Sequence, residues 1–248
     1  MGQIWFRSAF WALILTFCAS FAMAEELLIL SYNVRNGRGL NAPDVDLERP
    51  AGVIRTLSPD IAGIQELDQN SVRCGNRDIP QELGKTVGMK AFFAPAIDFQ
   101  GGKYGIATLA KTEPLRTYSV PLPGKEERRV LQVSEFETFV FFNTHLSLTE
   151  ADRMESASII EAEARKFTKP VFLCGDFNAM PDSKVMQAFF KNWDRLSPEA
   201  FTFPANKPRI QIDYILVPKG HRIDVLDAKV LHAPSESDHC PVYVKVKF

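Results

Sequence analysis

Short apolar runs rich in β-branched and aromatic residues recur along the chain, and a polar cluster stops most of them. The runs Leu27 to Asn33, Ile61 to Glu66, Ala91 to Ile97, Gly105 to Lys111, Val130 to Phe136, Phe139 to His145, Val171 to Asp176, Ile212 to Val217 and Cys240 to Phe248 have the length and composition of strands. Four stretches between them read as helices. One opens near Asp46 or Glu48, with Pro50 limiting how early it is fully hydrogen-bonded, and one follows Pro80. Another starts at Thr149, where Thr149 and Asp152 have N-cap and N3 spacing, and runs to about Phe167; the last covers Ser183 to Lys191 with Ser183 as its N-cap. Some strands are joined by short polar turns such as Glu137-Thr138, and others are separated by helices. That mixture predicts an α/β (α+β) architecture, with sheets packed face to face and helices outside.

The start of the chain follows another pattern. A single cation, Arg7, precedes an apolar run from Ser8 to Phe21 and then Ala22-Met23-Ala24, a small-x-small site suited to signal peptidase. The run is short for a bilayer-spanning helix, and a strand pattern follows it directly. Residues 1–24 therefore read as a secretory signal peptide, and 25–248 as an exported mature chain, periplasmic or secreted, with no membrane span. Phe17 argues against lipid attachment at Cys18, because the position before such a cysteine calls for a small residue. The mature segment is one domain's worth of chain without repeat or linker, and 46% of the sequence is hydrophobic, ample for a large core.

Without Arg7 the chain keeps 28 of its 29 basic residues against 30 acidic ones, a net charge of about −2. This balance weakens a nucleic-acid reading without removing it, since a local basic stripe can sit on a neutral protein. Three cysteines remain, Cys74, Cys174 and Cys240, so at most one intramolecular disulfide can form. Cys174 and Cys240 lie in apolar strands and read as small core residues, and Cys74 as a loop thiol. No obligate protein partner is evident.

Candidate chemistry collects where the strands stop. The clusters are Ser31-Tyr32-Asn33, Gln65-Glu66, Asn143-Thr144-His145, Gly175-Asp176-Phe177-Asn178 and Ser237-Asp238-His239, and Asp213 interrupts the run Ile212 to Leu216. A polar residue at the end of a buried strand is held on rigid scaffold, and several such ends can converge on one rim. Convergence of Glu66, Asp176, Asp238 and Asn33 would give an oxygen-rich site of the kind Mg2+ or Mn2+ prefers, with His145 and His239 joining it. Zinc also accepts histidine, but no mature cysteine stands at ligand-like spacing to these two, which favours the oxygen-ligated ion. His239 has a reference pKa suited to a general base, and Asp213 accepting a hydrogen bond from its other nitrogen would fix tautomer and orientation. Each cluster alone has an ordinary reading as a turn, a solvated pair or a half-buried strand end. The ordered set does not.

These residues resemble the endonuclease/exonuclease/phosphatase superfamily, which includes deoxyribonuclease-I-like nucleases, exonuclease-III-like repair enzymes, bacterial sphingomyelinases and inositol polyphosphate 5-phosphatases. The likeness spans nearly the whole mature chain, from Tyr32-Asn33 to Asp238-His239. It implies a four-layer α/β/β/α sandwich of two packed mixed sheets flanked by helices, with the site at one end. It also implies a metal-dependent phosphoesterase in which Glu66 is the principal metal ligand, Asn33 and Asp238 help hold metal and water, and His239 is the base oriented by Asp213. His145 resembles the histidine that hydrogen-bonds a phosphate oxygen. Asp176 and Asn178 resemble the pair that positions the nucleophile and stabilises the phosphoryl group; whether Asp176 also protonates the leaving group or binds a second metal stays open. Lys103-Tyr104-Gly105-Ile106-Ala107 resembles a segment that supplies a substrate-binding tyrosine in some members, with the departure that Tyr104 stands immediately before the glycine. From Tyr32-Asn33-Val34-Arg35 through Asp98-Phe99-Gln100-Gly101-Gly102 the chain is most similar to small exported bacterial members. It is also similar to the phosphoesterase-like domain of proteins associated with remodelling of glycosyl-phosphatidylinositol lipids.

Three functions compete. The first is an exported phosphoesterase, more narrowly a phosphodiesterase, using a histidine-activated water on a small or lipid-linked phosphate. The second is a secreted Mg2+-dependent DNA or RNA endonuclease, which calls for a continuous basic groove. The third is a catalytically silent binding protein of the same fold. A lipid enzyme calls for exposed aromatics at the rim, for which Phe92, Phe93, Phe99, Phe201 and Phe203 are candidates. Arg35, Arg38, Arg128 and Arg129 are the arginines that could reach a substrate phosphate or be solvated instead.

Overall fold

The computed structural model describes residues 1–2 and 24–248. The signal peptide assigned to 1–24 lies outside the described residues except at its ends. No helix among the described residues is long and apolar enough to cross a membrane.

The strands are β1 (Glu26–Asn33), β2 (Ile61–Gln69), β3 (Lys90–Phe99), β4 (Gly102–Ala110), β5 (Arg116–Leu122), β6 (Arg129–Glu135), β7 (Val140–His145), β8 (Val171–Asp176), β9 (Trp193–Arg195), β10 (Asp213–Pro218), β11 (Asp224–Val230) and β12 (Val242–Lys247). The helices are α1 (Glu48–Leu57), α2 (Ile79–Val87), α3 (Glu150–Ala164) and α4 (Lys184–Asn192). Two six-stranded mixed sheets result, ordered β11-β12-β1-β2-β4-β3 and β5-β6-β7-β8-β10-β9. All expected strands and helices form. The sequence pattern misses β5, β9 and β11, all edge strands: β5 and β11 are largely exposed and interleave charged with apolar residues, and β9 is only three residues long.

Two of the four helices start on a side-chain cap; Leu47 before α1 and Thr149 before α3 supply none. Asp78 caps α2 by accepting Gln81 N–H at 3.3 Å, and Ser183 caps α4 by accepting Met186 N–H at 3.3 Å. The Thr149 side chain makes no cap bond, and α3 ends at Ala164 rather than near Phe167. Ser147 Oγ accepts Thr149 N–H at 2.9 Å instead, while the Asp152 carboxylate turns back to Ser147 Oγ at 3.0 Å and Lys125 N–H at 2.6 Å.

The layers are read from which faces are apolar. Leu30, Tyr32, Ala62 and Ile64 pack one sheet against Ala51, Ile54 and Leu83 of α1 and α2. Phe142, Leu173 and Leu216 pack the other against Ile160, Met186 and Phe189 of α3 and α4. Ile29, Ile61, Phe141, Phe172, Ile215 and Val244 fill the space between the sheets. This is the four-layer sandwich the resemblance implies.

The inter-sheet layer changes character from end to end. Successive side chains of a strand alternate faces, so one face takes every second residue. On β1 that face reads Leu27, Ile29, Ser31, Asn33; on β7 and the residue before it, Phe139, Phe141, Asn143, His145; on β8, Phe172, Cys174, Asp176; and on the oppositely directed β10, Val217, Ile215, Asp213. One end is a dry cluster in which Phe139, Phe172 and Phe248 meet edge to face. At mid-depth the buried amides cross the gap, Gln65 Nε2 donating to Asn143 Oδ1 at 2.8 Å. The other end is polar, and register aligns it: Asp176 stands beside His145 in the parallel β7/β8 ladder and opposite Asp213 in the antiparallel β8/β10 ladder.

Candidate active site

Asp176 is the hub of the polar end. Its Oδ1 accepts the Asn178 N–H at 2.9 Å, and its Oδ2 accepts from Asn33 Nδ2 of the facing sheet at 3.1 Å. The same Oδ2 lies 3.4 Å from His145 Nε2 and 3.6 Å from His239 Nε2. Four of the expected site residues therefore converge on one buried carboxylate.

Glu66 reaches the site through a β-bulge. Ile64 pairs with Ala107 and Leu67 with Gly105, so Gln65 and Glu66 oppose Ile106 alone. In a regular strand these neighbours would face opposite ways. Here Gln65 meets Asn143 and Glu66 Oε1 accepts from Asn33 Nδ2 at 3.0 Å, both between the sheets, and Leu67 returns to the helix-side core. The arrangement holds Glu66 at φ 61°, a left-handed conformation costing about 1–2 kcal/mol for a residue with a Cβ.

The residues fit a divalent cation. Glu66 sits half-buried at the rim, and the nearby basic groups Arg35, Arg73, His145 and His239 form their ion pairs with other carboxylates. Burial pushes its carboxyl above the usual range, against the Asn33 hydrogen bond and the His239 charge that pull it down. A carboxylate without a cationic partner, with Asp176 and Asp238 close by, is the donor set of a hard ion. Asp176, Asp213 and His239 also offer one ligand atom each within 4.8 Å of one another. Both Asp213 oxygens are engaged by His239, however, which makes that trio a base with its orienting partner rather than an ion cage.

The two histidines are dressed in opposite ways. His239 Nδ1 lies 3.0 and 3.2 Å from the Asp213 oxygens, an acceptor-only group, so Nδ1 carries a proton and Nε2 is the atom turned to the site. Thr202 Oγ1 accepts the Ile212 and Asp213 N–H groups and steadies that strand start, and the Phe203 ring covers His239 at 4.8 Å. Burial opposes a charge on His239, but Asp213 and Asp176 outweigh it and push its pKa up to about 10. His145 Nδ1 instead faces Arg129 Nη1 at 3.4 Å. Arginine only donates, so Nδ1 accepts and Nε2 carries the proton. Burial, aided by Arg129 and opposed by the Asp176 charge, lowers His145 to about 4.

The other expected residues sit around this centre. Asp238 pairs with Arg35 Nε at 3.6 Å, and its loop is tied down where Ser237 Oγ donates to Asn33 O at 2.7 Å. Asn33 presents its amide nitrogen to Glu66 and Asp176, its oxygen accepting Arg35 N–H at 3.1 Å. Asn178, left-handed at φ 48°, donates from Nδ2 to Leu146 O at 2.9 Å. Tyr104 is buried on β4 beside the bulge, and burial raises its hydroxyl pKa. Of the candidate rim aromatics only Phe201 is exposed, at 57%; Phe92 and Phe93 pack on the cores and Phe203 on His239. Cys74, Cys174 and Cys240 are free and buried, so the loop-thiol reading of Cys74 is corrected: it packs into the helix-side core.

Arg129, grouped in the sequence with Arg128 as a candidate phosphate contact, instead stands behind His145, a role the sequence does not reveal. It is buried, held by Glu127 Oε1 at 2.8 Å, while the adjacent Arg128 is exposed. Nothing local distinguishes the two arginines.

Residues 30–239 match the sequence model of the Endonuclease/Exonuclease/phosphatase family. Three solved structures share the fold. One from Beutenbergia cavernae, an endonuclease/exonuclease/phosphatase, is 21% identical with a TM-score of 0.76, over 90% of this chain and 72% of that one. Another of that description, from Bacteroides vulgatus, is 18% identical with a TM-score of 0.75, over 90% and 98%. A mannosyl-6-phosphatase from Bacteroides thetaiotaomicron is 20% identical with a TM-score of 0.71, over 90% and 100%. The segment matched to the family contains the whole polar end from Asn33 to His239. The chain belongs to the endonuclease/exonuclease/phosphatase family of phosphoesterases.

Proposed function

We propose that this protein is an exported, Mg2+- or Mn2+-dependent phosphoesterase, with phosphodiesters as its first substrate class, and that it uses water activated by His239. The observation that carries this reading is the opposite dressing of the two histidines around Asp176. His239, backed by Asp213, has the geometry to take a proton from water at Nε2. His145 has the geometry to donate from Nε2 to a phosphoryl oxygen, and Asp176 with Asn178 orients the groups between them. Glu66 would be the principal ligand of such an ion, with Asn33 and Asp238 beside it. A divalent cation bound there would polarise a phosphoryl oxygen and offset the carboxylate field that keeps His239 protonated.

The endonuclease reading finds less support. A cleft of about 680 Å³ that reaches Lys103, the chain neighbour of Tyr104, is lined by Asp98, Glu126 and Glu127 as well as Lys103, Lys125 and Arg128, an even balance rather than a basic groove. The likeness to a mannosyl-6-phosphatase adds sugar phosphates to the substrates worth assaying. Bis(p-nitrophenyl) phosphate, DNA, sphingomyelin, inositol phosphates and mannose 6-phosphate should be compared in one buffer with Mg2+, Mn2+ or a chelator. Hydrolysis that needs the cation and disappears in His239→Ala is the expected result. If no ester is cleaved, the enzyme reading fails and the silent binding protein takes its place; if esters are cleaved but His239→Ala changes nothing, His239 loses the role of base.

A further inference from the structure

Two residues past Glu66, Asp68 is fully buried and collects donors from three sides. Asn36 Nδ2 donates at 3.0 Å, Ser71 Oγ at 2.9 Å, and Arg73 grips both oxygens, Nε at 2.6 Å and Nη2 at 2.8 Å. A buried carboxylate is costly unless saturated in this way. The clamp fixes Arg73 in turn. Its Cζ lies 4.3 Å from the Phe99 ring centroid and 5.3 Å from that of Tyr104.

What the clamp leaves over points to a ligand. A guanidinium has five N–H groups. Asp68 takes two, and among the described residues no other protein group accepts the remaining three. The Arg73 side chain keeps 31% of its surface exposed, so these groups reach solvent. Tyr104 stands directly opposite Asp68 in the β2/β4 ladder and is 9% exposed, and its hydroxyl also has no hydrogen-bond partner among the described residues. The Arg73 charge acts on Tyr104, Glu66 and Glu127, which puts it at the rim of the site. A counter-ion that served Asp68 alone would need neither the aromatic cradle nor the open edge.

We propose that Arg73 is a substrate-binding residue: with the Tyr104 hydroxyl it receives an anionic oxygen of the phosphate ester, while Asp68 and Phe99 hold the guanidinium in place. The inference rests on the phosphoesterase reading of the site. Because Asp68 already balances the charge, Arg73 acts through directed N–H groups, which lysine cannot reproduce.

Inorganic phosphate is the probe, because its binding needs no turnover. Calorimetric titration of the full mature chain with Mg2+ present should show Arg73→Lys and Arg73→Gln binding phosphate at least roughly tenfold more weakly than wild type, the scale of one hydrogen bond to a charged group. For bis(p-nitrophenyl) phosphate, KM should rise by the same factor with kcat little changed. Arg73→Gln leaves Asp68 buried without its partner, so the double variant Asp68→Asn/Arg73→Gln serves as the fold control: it should recover the melting temperature and still bind weakly. Wild-type affinity in Arg73→Lys or in the double variant overturns the proposal, as does a wild type that does not bind phosphate. A wild type that binds phosphate through Arg73 but cleaves no ester sinks the proposed activity and leaves this role standing.

Discussion

His145 and His239 aim their Nε2 atoms at the same oxygen, Asp176 Oδ2, from 3.4 and 3.6 Å, yet Arg129 donates to one ring from behind and Asp213 accepts from the other. Identical side chains are thereby given opposite duties. One is locked as a donor toward the site, and the other is turned to offer a lone pair once it is deprotonated. The distinction comes from the far nitrogen, outside the reacting space.

Removing the base should be severe and specific. His239→Ala is expected to lower kcat by at least roughly two orders of magnitude, the scale of general-base catalysis. Asp213→Asn should also slow turnover, because an amide can donate to Nδ1 and so admit the wrong tautomer. Steady-state kinetics beside thermal melts will separate these effects from unfolding; a kcat for His239→Ala near wild type would remove the role.

Glu66→Gln should move stability and activity in opposite directions. Without a cation the Glu66 carboxylate is penalised by burial, so the glutamine variant in chelator should melt at or above wild type. Wild type should gain about 2.7 kcal/mol from Mg2+ at a hundred times its dissociation constant. The variant should lose that gain together with activity. An undiminished Mg2+ shift in Glu66→Gln would place the ion elsewhere.

His145 should make the fold acid-sensitive. Its pKa falls from 6.5 to about 4 on folding, so between those limits the unfolded chain binds a proton that the folded chain refuses. Stability is then fully present above about pH 6.5, declines as pH falls through the window and levels off below about 4, a loss of up to about 3 kcal/mol. Urea unfolding of wild type and His145→Asn from pH 7 to 4 isolates the contribution. Parallel curves would contradict it.

Gly63→Ala tests how closely the sheets are packed above the polar end. A Cβ at this position would run into Cys174 Sγ and come within 2.9 Å of Asn143 Oδ1. Overpacking of this kind costs about 1–3 kcal/mol. Adding Cys174→Ala should recover part of the loss in denaturant unfolding; a neutral Gly63→Ala would mean the gap can widen freely.

Much of the fold and of the site can be read from the strands themselves. Alternation along Leu27-Ile29-Ser31-Asn33 or Phe139-Phe141-Asn143-His145 makes one end of a shared face apolar and the other polar, and this needs no knowledge of any partner strand. Edge strands escape the same logic. Arg116–Leu122 and Asp224–Val230 interleave apolar with charged and polar residues and stay largely exposed, so neither shows a sustained apolar face.

The sequence alone determined which residues would stand at strand ends, because that depends on neighbours one and two positions away. Only the tertiary structure decided what they do to one another. Asn33 and Asp176 are 143 residues apart in the chain and meet through an amide nitrogen. The bulge that admits Glu66, the burial of Arg129 beside an exposed Arg128, and the Asp68 clamp on Arg73 all depend on register and loop closure. Those are set by contacts between distant segments, and a local pattern carries no record of them.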